Sequence, residues 1–120
     1  MDATTLRKYS CDNPPQATMP RAKSVTEAYE KFKNTPAQKT FLDAVGMYLI
    51  ANPYYFCPNS FPYDVAHPIQ HSCLWYEGEF TPVQVTEFLA KERIDVITFF
   101  ENPEHLKSVK TISHYHVFHY

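Results

Sequence analysis

The sequence predicts an α+β domain, with helices in the N-terminal half and a small antiparallel sheet in the C-terminal half. Segments with helix caps and helical periodicity lie mainly before residue 52, and runs dense in β-branched and aromatic residues follow later. A proline-rich stretch separates the two regions. Because 120 residues is the size of one domain, we expect an extended arm over 1–23 and a single domain over 24–120.

The helices are predicted from their capping sequences. Residues 24–27 (SVTE) have the pattern of a capping box and predict a helix over about 25–33. Thr35 followed by proline predicts a second helix that ends before residue 52, because proline fits the first helical position. Residues 81–84 (TPVQ) repeat this chemistry and predict a third helix over about 82–92.

The strands are predicted from composition and from the absence of helix formers. The four prolines within 52–70 predict an aromatic loop with a short edge strand at 54–57. Residues 101–112 predict a loop with one turn of helix. Three runs predict the remaining strands: 72–76 (SCLWY), 94–100 (IDVITFF) and 114–120 (HYHVFHY). The third helix would then cross between two strands of the sheet.

Composition excludes several classes of protein. Two glycines are too few for a Walker loop or a dinucleotide fingerprint. No apolar run approaches the ~18 residues of a membrane span, so we expect no membrane partner. The three cysteines are odd in number and no secretion signal precedes them, which predicts reduced thiols and a cytoplasmic location.

Charge is distributed unevenly along the chain. Residues 1–40 carry seven basic and four acidic side chains, a net +3, whereas residues 41–120 carry four basic and nine acidic, a net −5. The basic residues are scattered among polar ones and no nucleic-acid motif accompanies them, so we expect a solvated surface and no nucleic-acid partner. An anionic ligand in the C-terminal half would need Lys107 and Lys110 at its site.

The six histidines are the main candidates for catalytic or metal-binding residues. Strand geometry divides the last three between the two faces of the sheet. Side chains alternate faces along a strand, so His114 and His116 share one face while His119 points to the other. Three interpretations of the pair stay open: a metal site completed by His67 or His71, nucleophilic catalysis on phosphorus, and structural histidines within an aromatic sheet. Because no cysteine or carboxylate pattern supports a metal site, we assign no metal and no cofactor.

Several motifs resemble known families. Residues 59–65 (NSFPYDV), His71 and Trp75, 99–103 (FFENP) and 114–117 (HYHV) resemble an uncharacterised eukaryotic and viral family named after N-acetylglucosamine-induced protein. More distantly, the order Asn-x-Phe-Pro-Tyr, His, Asn and His-x-His is similar to the histidine-triad superfamily, which includes the galactose-1-phosphate uridylyltransferases. The second resemblance implies a histidine-triad-like fold that binds nucleotides or nucleotide sugars over its sheet.

The histidine-triad resemblance also implies roles for individual residues. His116 would be the nucleophile that attacks phosphorus, with His114 as its neighbour. The implied ligand-binding residues are Asn59 and Phe61 at the base and ribose, Asn102 and Ser108 near the phosphates, and Tyr63 and His71 from the shared motifs. The chain departs from the pattern where Phe118 replaces the third histidine and where glycines are missing from 101–112.

We therefore hypothesise a nucleotide or nucleotide-sugar binding protein, with hydrolysis or transfer at the His-x-His pair as its chemistry. The alternative is a non-catalytic structural or interaction protein that docks into a larger assembly through residues 1–23. Whether the chain is an enzyme stays open at this point.

Overall fold

A four-stranded antiparallel sheet forms the centre of the computed structural model, which describes residues 1–120. The strands are β1 (Tyr54–Pro58), β2 (Gln70–Tyr76), β3 (Val96–Phe100) and β4 (Ser113–His119). Their order across the sheet is β1-β2-β4-β3, so β2 and β4 are central. The predicted α+β class is confirmed, including the edge position of β1.

Four α-helices surround the sheet. They are α1 (Ala3–Leu6), α2 (Lys23–Phe32), α3 (Pro36–Ala51) and α4 (Pro82–Lys91), and a short 3₁₀ turn (Glu104–Leu106) lies in the loop before β4. None of the helices has both the length and the apolar character that crossing a membrane requires.

Local capping chemistry determines where two of the helices begin. The Thr81 side chain accepts a hydrogen bond from the Gln84 amide, and the Gln84 side chain accepts one from the Thr81 amide, which completes a capping box. The Thr35 side chain likewise accepts from the Gln38 amide. The capping box predicted at 24–27 is wrong, because α2 already begins at Lys23 and no side chain caps it.

One face of the sheet packs against α4. Alternation along β2 and β4 directs Leu74, Tyr76, Tyr115 and Val117 to this face, where they form a core with apolar residues of α4. His119 lies on this face too, and its Nε2 is 2.8 Å from Ser72 Oγ. The prediction that His119 lies apart from the other two strand histidines is therefore confirmed.

The opposite face is covered at its two ends, and this cover positions the site. Val45 and Leu49 of α3 pack on Cys73 and Trp75 at one end. At the other end, an N-terminal segment packs with Tyr63, Phe100 and Phe118. Between them lies an open region above the middle of β2 and β4.

Residues 1–23, which we expected as an extended arm, pack against the rest of the chain. Leu6 of α1 is fully buried and Met19 is nearly so. Backbone hydrogen bonds join the segment to the loop before β2, from the Ala66 amide to the Met1 carbonyl (2.8 Å) and from the Asp64 amide to the Pro20 carbonyl (2.8 Å). The segment therefore supplies one wall of the open region.

Candidate functional site

The candidate site is a cavity above the face of the sheet that carries His114 and His116. Register brings the residues of this face together, because Cys73 lies opposite His116 and Trp75 lies opposite His114 across β2 and β4. The cavity has a volume of about 610 Å³. This lies within the roughly 300–1,000 Å³ that is typical of small-molecule sites.

Three parts of the chain enclose the cavity. Residues 18–42 supply the wall opposite the sheet, the turn after β1 supplies a second wall, and the loop between β3 and β4 supplies a third. Seven of the eight residues that the histidine-triad resemblance implied line it: Asn59, Phe61, Tyr63, Asn102, Ser108, His114 and His116. The eighth, His71, lies behind His116 and contacts it directly.

A chain of hydrogen bonds runs from the backbone through two histidines to Asn102. The Tyr63 amide donates to His71 Nδ1 (3.0 Å), and His71 Nε2 lies 2.8 Å from His116 Nδ1. His116 Nε2 is in turn 3.1 Å from the side-chain amide of Asn102. The same amide lies 3.2 Å from Tyr63 Oη. Both ring nitrogens of His116 are thus engaged within the chain.

Burial keeps these imidazoles neutral. Loss of hydration, aided by the nearby Arg21, lowers the pKa of His71 to about 3. Burial also lowers the pKa of His116 well below its ordinary value, with His114 and His71 adding to the effect. Each histidine is only 4% exposed. At neutral pH each ring therefore has one N–H donor and one acceptor lone pair.

His114 differs from His116 in its bonding. Its ring packs on Trp75, with centroids 4.4 Å apart, and lies 4.9 Å from the ring of His116. Burial, followed by the charge of Lys107, lowers its pKa to about 4. A backbone hydrogen bond with Ile112 engages one of its ring nitrogens, and the other makes no bond to a side chain, so His114 offers one ring nitrogen to a ligand in the cavity.

Arg21 is the cation of the cavity that has no carboxylate partner. Its guanidinium lies over the rings of Tyr29 and Tyr63, 4.6 and 4.8 Å from their centroids, and its Nε donates to the Phe61 carbonyl (2.8 Å). The other two cations at the wall are neutralised: Lys33 pairs with an acidic residue of α2, and Lys107 pairs with Glu101 and Glu104.

Two further donors of the cavity wall lack partners. Tyr29 Oη and Trp75 Nε1 are both buried atoms without a hydrogen-bond partner. Trp75 as a whole is 6% exposed. Because a buried polar group without a partner costs free energy, a ligand that accepts from these groups would be stabilised.

The buried trio of His71, Cys73 and His116 does not fit a metal ion. Their ligand atoms lie within 4.8 Å of one another, which is close enough to consider a site. A metal on His71 Nε2 would move the ring proton to Nδ1, where the Tyr63 amide already donates, and two N–H groups would face each other. Burial also raises the pKa of the Cys73 thiol, which opposes the thiolate that metal binding needs.

The family of the chain follows from a match over residues 46–120, to the model described as protein of unknown function (DUF3605). The chain belongs to this family. The match contains β1 to β4 and all the implied site residues, whereas Arg21 and Tyr29 lie before it. No curated protein matches the chain.

A solved structure shares the fold of this DUF3605 member. The crystal structure of HTC1 matches with a TM-score of 0.58 and 19% identity, over 85% of this chain and 76% of that one. Neither this match nor the family match supports the resemblance to the histidine-triad superfamily or to N-acetylglucosamine-induced protein. Those resemblances stay predictions.

Sequence reasoning missed the cavity residues of the N-terminal third. Arg21, Tyr29 and Phe32 reach the site only through the packing of residues 1–42 on the sheet. The net +3 of residues 1–40 was the available signal, because it showed that this segment has more basic than acidic side chains. Of the two lysines expected near an anionic ligand, Lys107 lines the cavity but is paired, and Lys110 is not among the lining residues.

Proposed function

We propose that the chain binds a small organic anion, a nucleotide or sugar phosphate, in the cavity above β2 and β4. The observation that carries the proposal is Arg21, whose guanidinium is fixed at the cavity wall without a carboxylate within salt-bridge distance. A planar guanidinium of this kind matches the oxygens of a phosphate or carboxylate and gains strength from its charge. An anionic ligand would supply its missing partner.

The uncharged donors of the wall support the same class of ligand. Tyr29 Oη and Trp75 Nε1 can each donate to an acceptor oxygen, and neither has one within the chain. The neutral ring of His114, whose N–H is bonded to the Ile112 backbone, adds a lone pair that can accept from a ligand hydroxyl. Hydroxyl, carbonyl and phosphoryl oxygens, which nucleotides and sugar phosphates present together, fit this set of groups.

The aromatic content of the cavity suits a flat ring. Phe61 packs between Tyr29 and Phe32, with centroid distances of 5.4 and 5.0 Å, and all three residues line the cavity. Aromatic side chains of this kind stack on nucleobases with little dependence on their identity. This favours a nucleotide over a simple sugar phosphate.

Hydrolysis or transfer is a second candidate function, and one observation favours it. Attack on phosphorus needs an imidazole nitrogen with a free lone pair, and His114 has such a nitrogen at the cavity. The resemblance gives the nucleophilic role to His116 instead, but both of its nitrogens bond within the chain. Binding is therefore the function that the geometry supports best.

Docking of a partner protein through residues 1–23 stays a weaker proposal. Leu6 and Met19, the apolar side chains that would drive such docking, are buried against the chain's own sheet. The same segment supplies Arg21 to the cavity wall.

The experiment is a calorimetric titration with UMP, AMP, UDP-glucose and glucose 6-phosphate, with uridine and adenosine as uncharged counterparts. We expect a phosphorylated ligand to bind the wild type and its nucleoside to bind at least 10-fold more weakly. The variant Arg21→Gln should bind about 10-fold to 100-fold more weakly, the value of a charge-assisted hydrogen bond.

The matched control for that variant is Lys39→Gln. It removes the same charge from an exposed residue that pairs with Asp43 outside the cavity, so binding should not change. Circular dichroism of both variants checks that the fold is kept. Equal affinity for phosphorylated and unphosphorylated ligands, or equal loss in the two variants, contradicts the proposal.

A further inference from the structure

We infer that Asn102 is a hydrogen-bond donor whose orientation is imposed by a one-way chain from the Tyr63 amide through His71 and His116. The inference rests on the proposed function and deepens it. It adds that the ligand has an acceptor oxygen for the Asn102 amide, close to the group that binds Arg21. Asn102 and Arg21 both contact Tyr63, at its hydroxyl and over its ring.

The direction of this chain of hydrogen bonds is set by the Tyr63 backbone N–H, which can only donate. A backbone N–H is always a donor, so His71 Nδ1, 3.0 Å from the Tyr63 amide, must carry the lone pair. The single proton of the neutral His71 ring is then on Nε2, and it is donated to His116 Nδ1 at 2.8 Å. The proton of His116 is in turn on Nε2.

Asn102 must therefore accept from His116. The amide atom that lies 3.1 Å from His116 Nε2 is placed as Nδ2, but an N–H and an NH₂ facing each other would leave two donors unpaired. The oxygen and nitrogen of an amide have nearly the same shape, and hydrogen bonding decides which is which. The chain of protons requires Oδ1 here, where it also accepts from Tyr63 Oη.

With Oδ1 held by two donors, the NH₂ of Asn102 occupies the remaining position. That terminal atom makes no bond within the chain and is not enclosed, and Asn102 lines the cavity. The amide therefore presents N–H groups to a ligand and never its oxygen. His71 and His116 are positioning residues in this arrangement, because they act through Asn102.

The tautomers give a readout that needs no ligand. Long-range ¹H–¹⁵N correlation of the wild type at neutral pH should show both His71 and His116 with the proton on Nε2. A His116 ring protonated on Nδ1 would point the NH₂ of Asn102 towards it and would overturn the inference.

Binding tests the second half of the inference. Asn102→Asp keeps an acceptor for His116 and Tyr63 but replaces the donor to the cavity with an oxygen, so affinity for UMP should fall at least 10-fold. Because the new charge also repels phosphate, the uncharged uridine is titrated in parallel, and its affinity should fall as well. An unchanged affinity for uridine would mean that charge alone acts and would overturn the inference. An unchanged affinity for UMP in this variant overturns the inference.

His71→Phe tests the positioning role from outside the cavity. His71 does not line the cavity, but it accepts from the Tyr63 amide and stacks on the Tyr63 ring, so the His116 tautomer is measured in the same variant. A several-fold loss of UMP affinity should be accompanied by loss of the fixed His116 tautomer, and a loss with the His116 proton still held on Nε2 contradicts the positioning role. Unaltered UMP affinity in this variant contradicts the positioning role. If the wild type binds no phosphorylated ligand, the proposed function fails and so does the selection by Asn102, while the tautomer measurement still decides the direction of the chain.

Discussion

Lowering the pH from about 7.5 to about 5 should remove much of the stability of the fold, because the buried His71 and His116 and the half-buried His114 are held as neutral rings. Burial lowers the pKa of His71 to about 3 and that of His114 to about 4, and it lowers the pKa of His116 well below its ordinary value. In the unfolded chain all three titrate near 6.5. Below that pH the three histidines bind protons in the unfolded state but stay neutral in the folded state, so acid favours unfolding.

The size of the effect follows from the gap between these values. At pH 5, each histidine that stays neutral in the fold costs about 2 kcal/mol, because about 1.5 pH units below 6.5 are worth ~1.4 kcal/mol each. Three such histidines give a loss of about 6 kcal/mol, against a total stability of ~5–15 kcal/mol for a typical domain. As the pH falls, the destabilisation that His114 causes stops growing near pH 4, and the destabilisation that His71 causes stops growing near pH 3.

The assay is urea unfolding followed by the fluorescence of Trp75, the sole tryptophan, at several pH values between these limits. His114→Gln should flatten the pH dependence by about 2 kcal/mol at pH 5, because it removes one of the three groups. His67→Gln, which changes an exposed histidine, should leave the dependence as it is. A free energy of unfolding at pH 5 within about 1 kcal/mol of the value at pH 7.5 would refute the reasoning.

Three other predictions concern the fold. Leu6→Ala should cost about 2–5 kcal/mol in urea unfolding because Leu6 is fully buried, and a loss below ~0.5 kcal/mol would contradict the packing of Leu6 in the core. Thr81→Ala should cost about 1 kcal/mol by removing the capping box, whereas Thr86→Ala on the exposed side of the same helix should cost less. Cys73 should resist alkylation by iodoacetamide in the native protein and react in urea, since burial raises its pKa; rapid native labelling would contradict its placement.

Features that depend on neighbouring residues were predictable from the sequence. The threonine-proline starts of α3 and α4 were identified because capping acts within one helical turn. The strand at 94–100 was evident from its composition, although the structure begins it at Val96. The separation of His119 from His114 and His116 followed from alternation alone.

Features that depend on residues far apart in the sequence could not be predicted. The contact of His71 with His116 arises from the register of β2 on β4, which no local pattern fixes. Arg21 reaches the cavity because residues 1–23 fold back on the sheet, and its long separation from the strands hides this in the sequence. The prediction of a capping box at 24–27 was wrong because α2 begins at Lys23, one residue before the predicted cap.

A crystal structure of the chain soaked with UMP tests the central claim most directly. The account predicts phosphate oxygens within hydrogen-bonding distance of the Arg21 guanidinium and an acceptor oxygen facing the Asn102 amide, in the cavity above β2 and β4. Ligand density on another surface, or a phosphate in the cavity that leaves Arg21 without a partner, would contradict it.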